Sequence, residues 1–202
     1  MRRIEVDDQN TLSLVADALR RQLVVVLPTD TLYGFSTPLS SHGGCELIAR
    51  LKQSPAERRY LYLASSVDMV AEYVGGWGCT SEDKLRHIWP APLTAILPTA
   101  PHYCKLLGPT IAFRVPRLAM LRRIVQAIGE PIVSTSVNRA GEPPLDDADA
   151  IAERFGEHIE LLVVGSSIAQ ASPSTLVDFT RAKPRLIRRG SYAWATEENP
   201  SK

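Results

Sequence analysis

Much that would staple, anchor or label a chain is scarce in this sequence. Among 202 residues there are three cysteines, Cys45, Cys79 and Cys104. They are odd in number and widely spaced, and they form no Cys-x-x-Cys pair. Nor do they make a zinc pattern with His42, His87, His102 or His158. A reducing, cytoplasmic setting fits such usage. No apolar run approaches the roughly 18 residues that a membrane span needs. The first eight residues lack the apolar core of a signal peptide. A soluble chain with no membrane partner is therefore expected. A charge excess is missing too: 23 Lys and Arg face 22 Asp and Glu, a formal net charge of +1. Bulk charge alone thus gives no polyanion binder. There is no Walker motif, GxGxxG, nucleophile elbow or HExxH, so kinase and NAD-enzyme readings have nothing to rest on.

What is present is ordinary for a globular protein: 45% hydrophobic and 22% charged residues. No internal repeat, low-complexity stretch or long linker divides the chain. One domain over residues 1–195 with a polar tail at 196–202 is expected. Short apolar runs over 23–27, 60–64, 94–97, 111–116, 131–133, 159–164, 174–179 and 185–188 predict strands. Helical spacing predicts helices behind a cap at Asp8 or Asn10, and over 46–51, 67–74, 81–88, 118–128 and 148–155. Residues 40–44 read as a polar loop, and Thr80 reads as the cap of the fourth helix, with Asp83 completing a capping box. Strands alternating with helices predict an α/β fold of three layers.

The chain is organised around Pro28-Thr29-Asp30-Thr31-Leu32-Tyr33-Gly34. This stretch follows the apolar strand over 23–27. Pro28 ends the ladder because it has no N–H, and two hydroxyls and a carboxylate follow, where ligands gather in open α/β sheets. Gly34 permits close backbone approach or an unusual φ. An ordinary turn gives the same composition. Other strand ends carry similar groups: Arg114, then Ser134, Ser136 and Asn138, then Ser174 and Thr175. A guanidinium inside a strand is costly unless it meets an anion; a ligand, Asp30 or Asp178 would each serve Arg114. Ser136 and Asn138 share a side if the backbone is extended, and two neutral donors suit phosphate oxygens, although a local turn before Gly141 would also engage them. Lys52 is either a point charge for phosphate or a helix C-terminal partner. Asp146, Asp147, Asp149 and Glu153 read as helix N-terminal partners rather than a metal site. Paired arginines, such as Arg20-Arg21, Arg58-Arg59 and Arg122-Arg123, could gather into a phosphate- or RNA-facing patch or remain solvated faces.

Taken together, these residues resemble successive motifs of the YrdC-like threonylcarbamoyl-adenylate synthase family. The motifs run in order from Pro28–Gly34 through Lys52, Trp89-Pro90-Ala91-Pro92-Leu93-Thr94 and Arg114-Val115-Pro116. They continue through Ser134-Thr135-Ser136-Val137-Asn138, Ser174-Thr175-Leu176-Val177-Asp178 and Leu186–Gly190. The resemblance implies a twisted mixed sheet around a basic cavity. It implies an enzyme that joins L-threonine, bicarbonate and ATP into threonylcarbamoyl-AMP and pyrophosphate, for modification of tRNA. Mg²⁺ would accompany the ATP, and a threonylcarbamoyl transferase would be the partner. By position, Thr29, Arg114, Ser134 and Ser174 would hold threonine. Lys52, Arg58, Thr110, Ser136, Asn138, Pro144 and Arg188 would hold ATP, with Lys52, Ser136 and Asn138 nearest the chemistry. The chain departs from the family's Lys-x-Arg, reading Lys52-Gln53-Ser54; Arg58 or Arg59 would reach the same phosphate. Leu63 stands where the family has histidine and Ala91 where it has glycine. These departures resemble YciO-like paralogues, which lack the Ser-x-Asn kept here. A second reading uses the same basic cavity for double-stranded RNA, tRNA or the ribosome without catalysis.

Overall fold

The computed structural model describes residues 1–55, 59–165 and 172–195. In chain order its elements are β1 (Arg2–Glu5), α1 (Thr11–Arg20), β2 (Val25–Leu27), β3 (Gly34–Ser36), α2 (His42–Leu51), β4 (Leu61–Leu63), α3 (Val67–Tyr73) and α4 (Glu82–Ile88). Then come β5 (Leu93–Pro98), α5 (Cys104–Leu107), β6 (Thr110–Arg114), α6 (Ala119–Ile128), β7 (Ile132–Ser136), α7 (Ala148–Phe155), β8 (Leu161–Val164), β9 (Thr175–Asp178) and β10 (Arg185–Arg188). The strands form one mixed sheet in the order β1-β8-β2-β3-β7-β4-β6-β5-β9-β10.

Strand alternation explains why helices cover both faces of one half of this sheet. Val25 and Leu27 of β2, with Leu161 and Val163 of β8, point to a cluster with Val15 and Leu19 of α1 and Leu121 and Ile124 of α6. Their neighbours Val26 and Leu162 point the other way, to Ile48 of α2 and to Ile151 and Phe155 of α7. Successive side chains on a strand face opposite sides, so a continuous apolar run is what two covered faces require. This is the three-layer α/β arrangement that the alternating elements predict.

The other half of the sheet is covered on one face only. Leu93, Ala95 and Leu97 of β5 and Phe113 of β6 pack with Val70 of α3 and Leu85 of α4. The alternate residues Thr94, Ile96, Ala112 and Leu176 line an open cavity instead. That uncovered face is what positions the site.

The structure differs from the sequence expectation at several points. Arg2–Glu5, a polar run with only Ile4 buried, is an edge strand paired in parallel with β8. Residues Gly34–Ser36 form β3, hydrogen-bonded between β2 and β7. β1 depends on a partner distant in sequence, and β3 joins its neighbour β2 to the distant β7. The expected loop at 40–44 is the start of α2, capped by Ser41, whose Oγ accepts from Gly44 N. A Cβ on Gly44 would lie 2.2 Å from Thr37 Oγ1, so this glycine serves close packing rather than a loop. Ser81, not Thr80, caps α4, and the side chain of Asn10 makes no cap for α1. Asp147 caps α7 through Ala150 N, with Asp149 in the first turn, in keeping with the helix-start reading of the acidic cluster. The tail at 196–202 and Arg58 lie outside the described residues. No helix among the described residues is long and apolar enough to cross a membrane.

Candidate functional site

The cavity measures about 1320 Å³, larger than the ~300–1,000 Å³ of a usual single-ligand pocket. Its first wall is the turn after β2. Thr29 Oγ1 donates to Leu32 O at 2.7 Å and accepts from the backbone N–H groups of Thr31 and Leu32, both at 3.1 Å. The Thr29 hydroxyl therefore builds the turn that it lines the cavity with. Gly34 follows because a Cβ there would lie 3.1 Å from Ser134 Oγ; the glycine gives Ser134, another lining residue, its room.

Behind this wall lies Arg114, 2% exposed. Its Nη1 donates to Thr31 Oγ1 at 2.9 Å, and its Nη2 lies 3.5 Å from Asp30 Oδ1. Asp30 Oδ2 in turn accepts from Arg117 N at 3.1 Å. Of the two internal partners the sequence allows for Arg114, the structure selects Asp30. The pairing is incomplete: Arg114 Nε and Asp30 Oδ1 make no hydrogen bond. Burial pushes the Arg114 pKa down, the Asp30 carboxylate pulls it back up, and Arg188 pushes it down again. Arg188, which lines the cavity, is thus a second positive charge at this end.

Ser174 joins the same end. Its Oγ lies 2.8 Å from Thr94 Oγ1, and Arg188 donates to Ser174 O through Nη2 at 3.0 Å and Nε at 3.2 Å. Thr94 sits one step beyond the Ala95–Phe113 pair of the β5–β6 ladder, opposite Arg114. Hydroxyls and guanidinium groups thus converge from β5, β6 and β10, from the turn after β2 and from the residue before β9.

The third wall is the loop after β7. Lys52, 1% exposed, donates from Nζ to Ser136 O at 2.5 Å, Asn138 O at 3.1 Å and Asn138 Oδ1 at 2.8 Å. Ser136 Oγ donates to the same Asn138 Oδ1 at 2.6 Å, and Asn138 Nδ2 donates to the carbonyls of Arg139 and Glu142. Ser136 and Asn138 do share a side. Their polar groups, however, are engaged in holding the loop, and Lys52 is the ammonium at its centre rather than a cation on the cavity wall.

At the far end of β6, Arg59 Nη1 donates to Thr110 Oγ1 at 2.7 Å, and both residues line the cavity, as does Lys105. Of the sequence-derived residues, Thr29, Thr110, Ser134, Ser136, Asn138, Pro144, Ser174 and Arg188 line the cavity. Arg114 and Lys52 stand behind its wall. Sequence reasoning assigned no site role to Thr94 or Lys105. Thr94 had a signal, a hydroxyl between the inward Leu93 and Ala95; Lys105 had none. Among the described residues, three members of the arginine pairs are engaged separately: Arg20 pairs with Asp17, Arg21 with Glu160, and Arg122 donates to the carbonyls of Pro116 and Arg117. Among the described residues, no three His, Cys, Asp or Glu side chains gather as a metal site.

Known proteins are similar to this chain in sequence and in fold. A threonylcarbamoyl-AMP synthase of Sodalis glossinidius (strain morsitans) is 30% identical over 193 residues, covering 93% of this chain and 99% of the relative. P. abyssi Sua5, solved in complex with L-threonine, superposes with a TM-score of 0.84 at 25% identity over 93% of this chain. The chain spans 57% of the length of that Sua5. E. coli YciO superposes with a TM-score of 0.79 at 22% identity, covering 93% of both chains, which speaks to the fold alone. The domain model Sua5/YciO/YrdC, described as "Telomere recombination", matches residues 17–190. With that match covering most of the chain, the chain belongs to the Sua5/YciO/YrdC family.

Proposed function

We propose that this chain is an L-threonylcarbamoyladenylate synthase, which makes threonylcarbamoyl-AMP and pyrophosphate from L-threonine, bicarbonate and ATP. The observation that carries the reading is a cavity with room for two substrates and a buried, incompletely paired arginine at one end. The near end-to-end match to relatives named threonylcarbamoyl-AMP synthase supports it. The product would serve threonylcarbamoyl modification of tRNA in the cytoplasm, with a transferase as the consuming partner.

Threonine fits the end built from Thr29, Ser134, Ser174 and Arg114. Its carboxylate meets Arg114, whose Nε still lacks an acceptor, and its hydroxyl meets the threonine and serine hydroxyls. ATP fits the larger remainder, along Ser136, Asn138, Pro144, Thr110 and Arg188. The threonine amine adds to the carbon of bicarbonate, a C–N bond forms and water leaves. A carbamate oxygen then attacks the α-phosphorus of ATP, and pyrophosphate departs with the bonding pair. Such steps require alignment and charge neutralisation rather than a protein nucleophile, which fits a site of hydroxyls and cations. Lys52 acts through the loop, keeping Ser136 and Asn138 in place. With no metal cage among the described residues, Mg²⁺ would be held by the phosphates it arrives with.

Pyrophosphate release with ATP, bicarbonate and L-threonine tests the reading. Release that depends on threonine is the expected result. Release absent under these conditions, beside salt-sensitive binding of double-stranded RNA, would overturn it in favour of an RNA-binding role.

A further inference from the structure

Asp30 is held from two sides, and only one of them is the arginine behind the cavity wall. Its Oδ1 lies 3.5 Å from Arg114 Nη2 without a hydrogen bond. Its Oδ2 accepts from the backbone N–H of Arg117 at 3.1 Å. The other end of that same peptide unit, Pro116 O, accepts from Arg122 Nη1 at 2.6 Å, and the same nitrogen donates to Arg117 O at 2.7 Å. Arg122, the 116–117 peptide, Asp30 and Arg114 therefore form one continuous chain of contacts. Arg114 Nη1 in turn donates to Thr31 Oγ1 at 2.9 Å, which lies 3.0 Å from Thr29 Oγ1 on the cavity wall.

The helix alone does not account for Arg122. It is the fourth residue of α6, close to the positive end of the helix dipole, which disfavours a cation. Among the described residues its polar partners are the two carbonyls alone, and neither Arg117 nor Arg122 lines the cavity. A peptide unit is a dipole with its oxygen and its N–H at opposite ends. A guanidinium on the oxygen polarises the unit and strengthens the bond that its N–H gives. Asp30 thus feels, through the 116–117 peptide, a cation that it does not touch. With its carboxylate served from that side, Asp30 does not have to close on Arg114, and Arg114 Nε keeps no acceptor.

We propose that Arg122 is a positioning residue: through the 116–117 peptide it holds Asp30 off Arg114, and so keeps Arg114 available to the amino-acid carboxylate. The inference rests on the placement of threonine given above and adds what sets the affinity of that end from outside the cavity. Without the Arg122 charge, the Arg117 N–H is a weaker donor and Asp30 turns more fully to Arg114. The substrate carboxylate then competes with Asp30 for one guanidinium.

Calorimetric titration of the full chain with L-threonine and, separately, with ATP tests this, beside thermal melts of each variant. Arg122→Gln keeps a donor for the carbonyls and removes the charge. It should weaken threonine binding by about two- to tenfold, the scale on which members of one hydrogen-bonded network couple, and leave ATP affinity unchanged. Arg122→Lys restores a charge and should bind threonine within about twofold of the wild type. In an Asp30→Asn background, Arg122→Gln should have no further effect on threonine. Unchanged threonine affinity in Arg122→Gln overturns the proposal. Equal losses for threonine and ATP, or the same loss in the Asp30→Asn background, also overturn it, since Arg122 would then act by another route. Should the variants fold poorly, the wild type carries the test: threonine, and not ATP, should shift the Arg117 amide resonance in NMR spectra, and an amide unmoved at saturating threonine overturns the relay. A wild type that binds threonine but releases no pyrophosphate with all three substrates overturns the synthase reading, while the binding data still decide the role of Arg122. A wild type that binds no threonine overturns both.

Discussion

Replacing Arg114 with glutamine separates two jobs that this residue combines. It neutralises Asp30, whose side chain is 11% exposed at 3.5 Å, and in the proposed mechanism it receives the threonine carboxylate. Stranding a buried carboxylate costs about 3–5 kcal/mol, a large share of the ~5–15 kcal/mol that holds a typical domain together. Losing one charge-assisted hydrogen bond to substrate costs about 1.5–3 kcal/mol, or roughly 10- to 150-fold in affinity. Arg114→Gln should therefore lower Tm markedly and raise the threonine KM by that factor. The ATP KM should stay within about threefold, because the nucleotide lies along other residues. Adding Asp30→Asn removes the stranded charge. The double variant should regain much of the lost Tm but none of the threonine affinity. Thermal melts and threonine-dependent pyrophosphate release, with each substrate varied in turn, measure both effects. Equal rises in both KM values would refute the placement of Arg114. Threonine affinity restored by the double variant would refute a direct contact, since the single variant would then have acted through Asp30 alone.

Three further outcomes are expected. Lys52→Met leaves Ser136 O, Asn138 O and Asn138 Oδ1 without their ammonium, so stability should fall by about 3 kcal/mol. Amide exchange should quicken at Ala140, whose N–H donates to Lys52 O; unchanged exchange and Tm would contradict its role in holding the loop. Gly43→Ala and Gly44→Ala should move Tm in opposite directions. The first adds a Cβ with nothing within 4 Å and gains about 0.5–1 kcal/mol in a helix; the second drives a Cβ to 2.2 Å from Thr37 Oγ1 and costs about 1–3 kcal/mol. Equal shifts would undo the packing account. Burial pushes the Cys45 thiol up to about 11. At pH 8 roughly one Cys45 in a thousand is thiolate, so iodoacetamide should label it slowly, with the rate rising about tenfold per pH unit up to that value. A labelling rate flat between pH 7 and 9, followed by mass spectrometry, would rule this out.

The sequence by itself determined the class of fold, the order of most elements and the family. Those signals are local: a continuous apolar run at Val25–Leu27 needs two covered faces, and serine, threonine or arginine at strand ends stands out against it. It also placed Thr29, Ser134, Ser136, Asn138 and Ser174 as candidates, all of which line the cavity. Only the tertiary structure decided what each polar group does there. Whether Lys52 faces phosphate or a loop depends on carbonyls 84 and 86 residues away, and no spacing rule encodes them. Arg114 could have met Asp30, Asp178 or a ligand; the packing of β6 behind the turn at Thr29–Leu32 selected Asp30 and left Nε unpaired. The strands β1 and β3 carried little apolar signal because β1 is an edge strand with only Ile4 buried and β3 is three residues, Gly34-Phe35-Ser36; ladders to the distant β8 and β7 hold them in the sheet. The pairing of Arg59 with Thr110 joins two residues 51 positions apart. Hydrogen-bonding capacity is a property of a residue, but which partner satisfies it is a property of the fold.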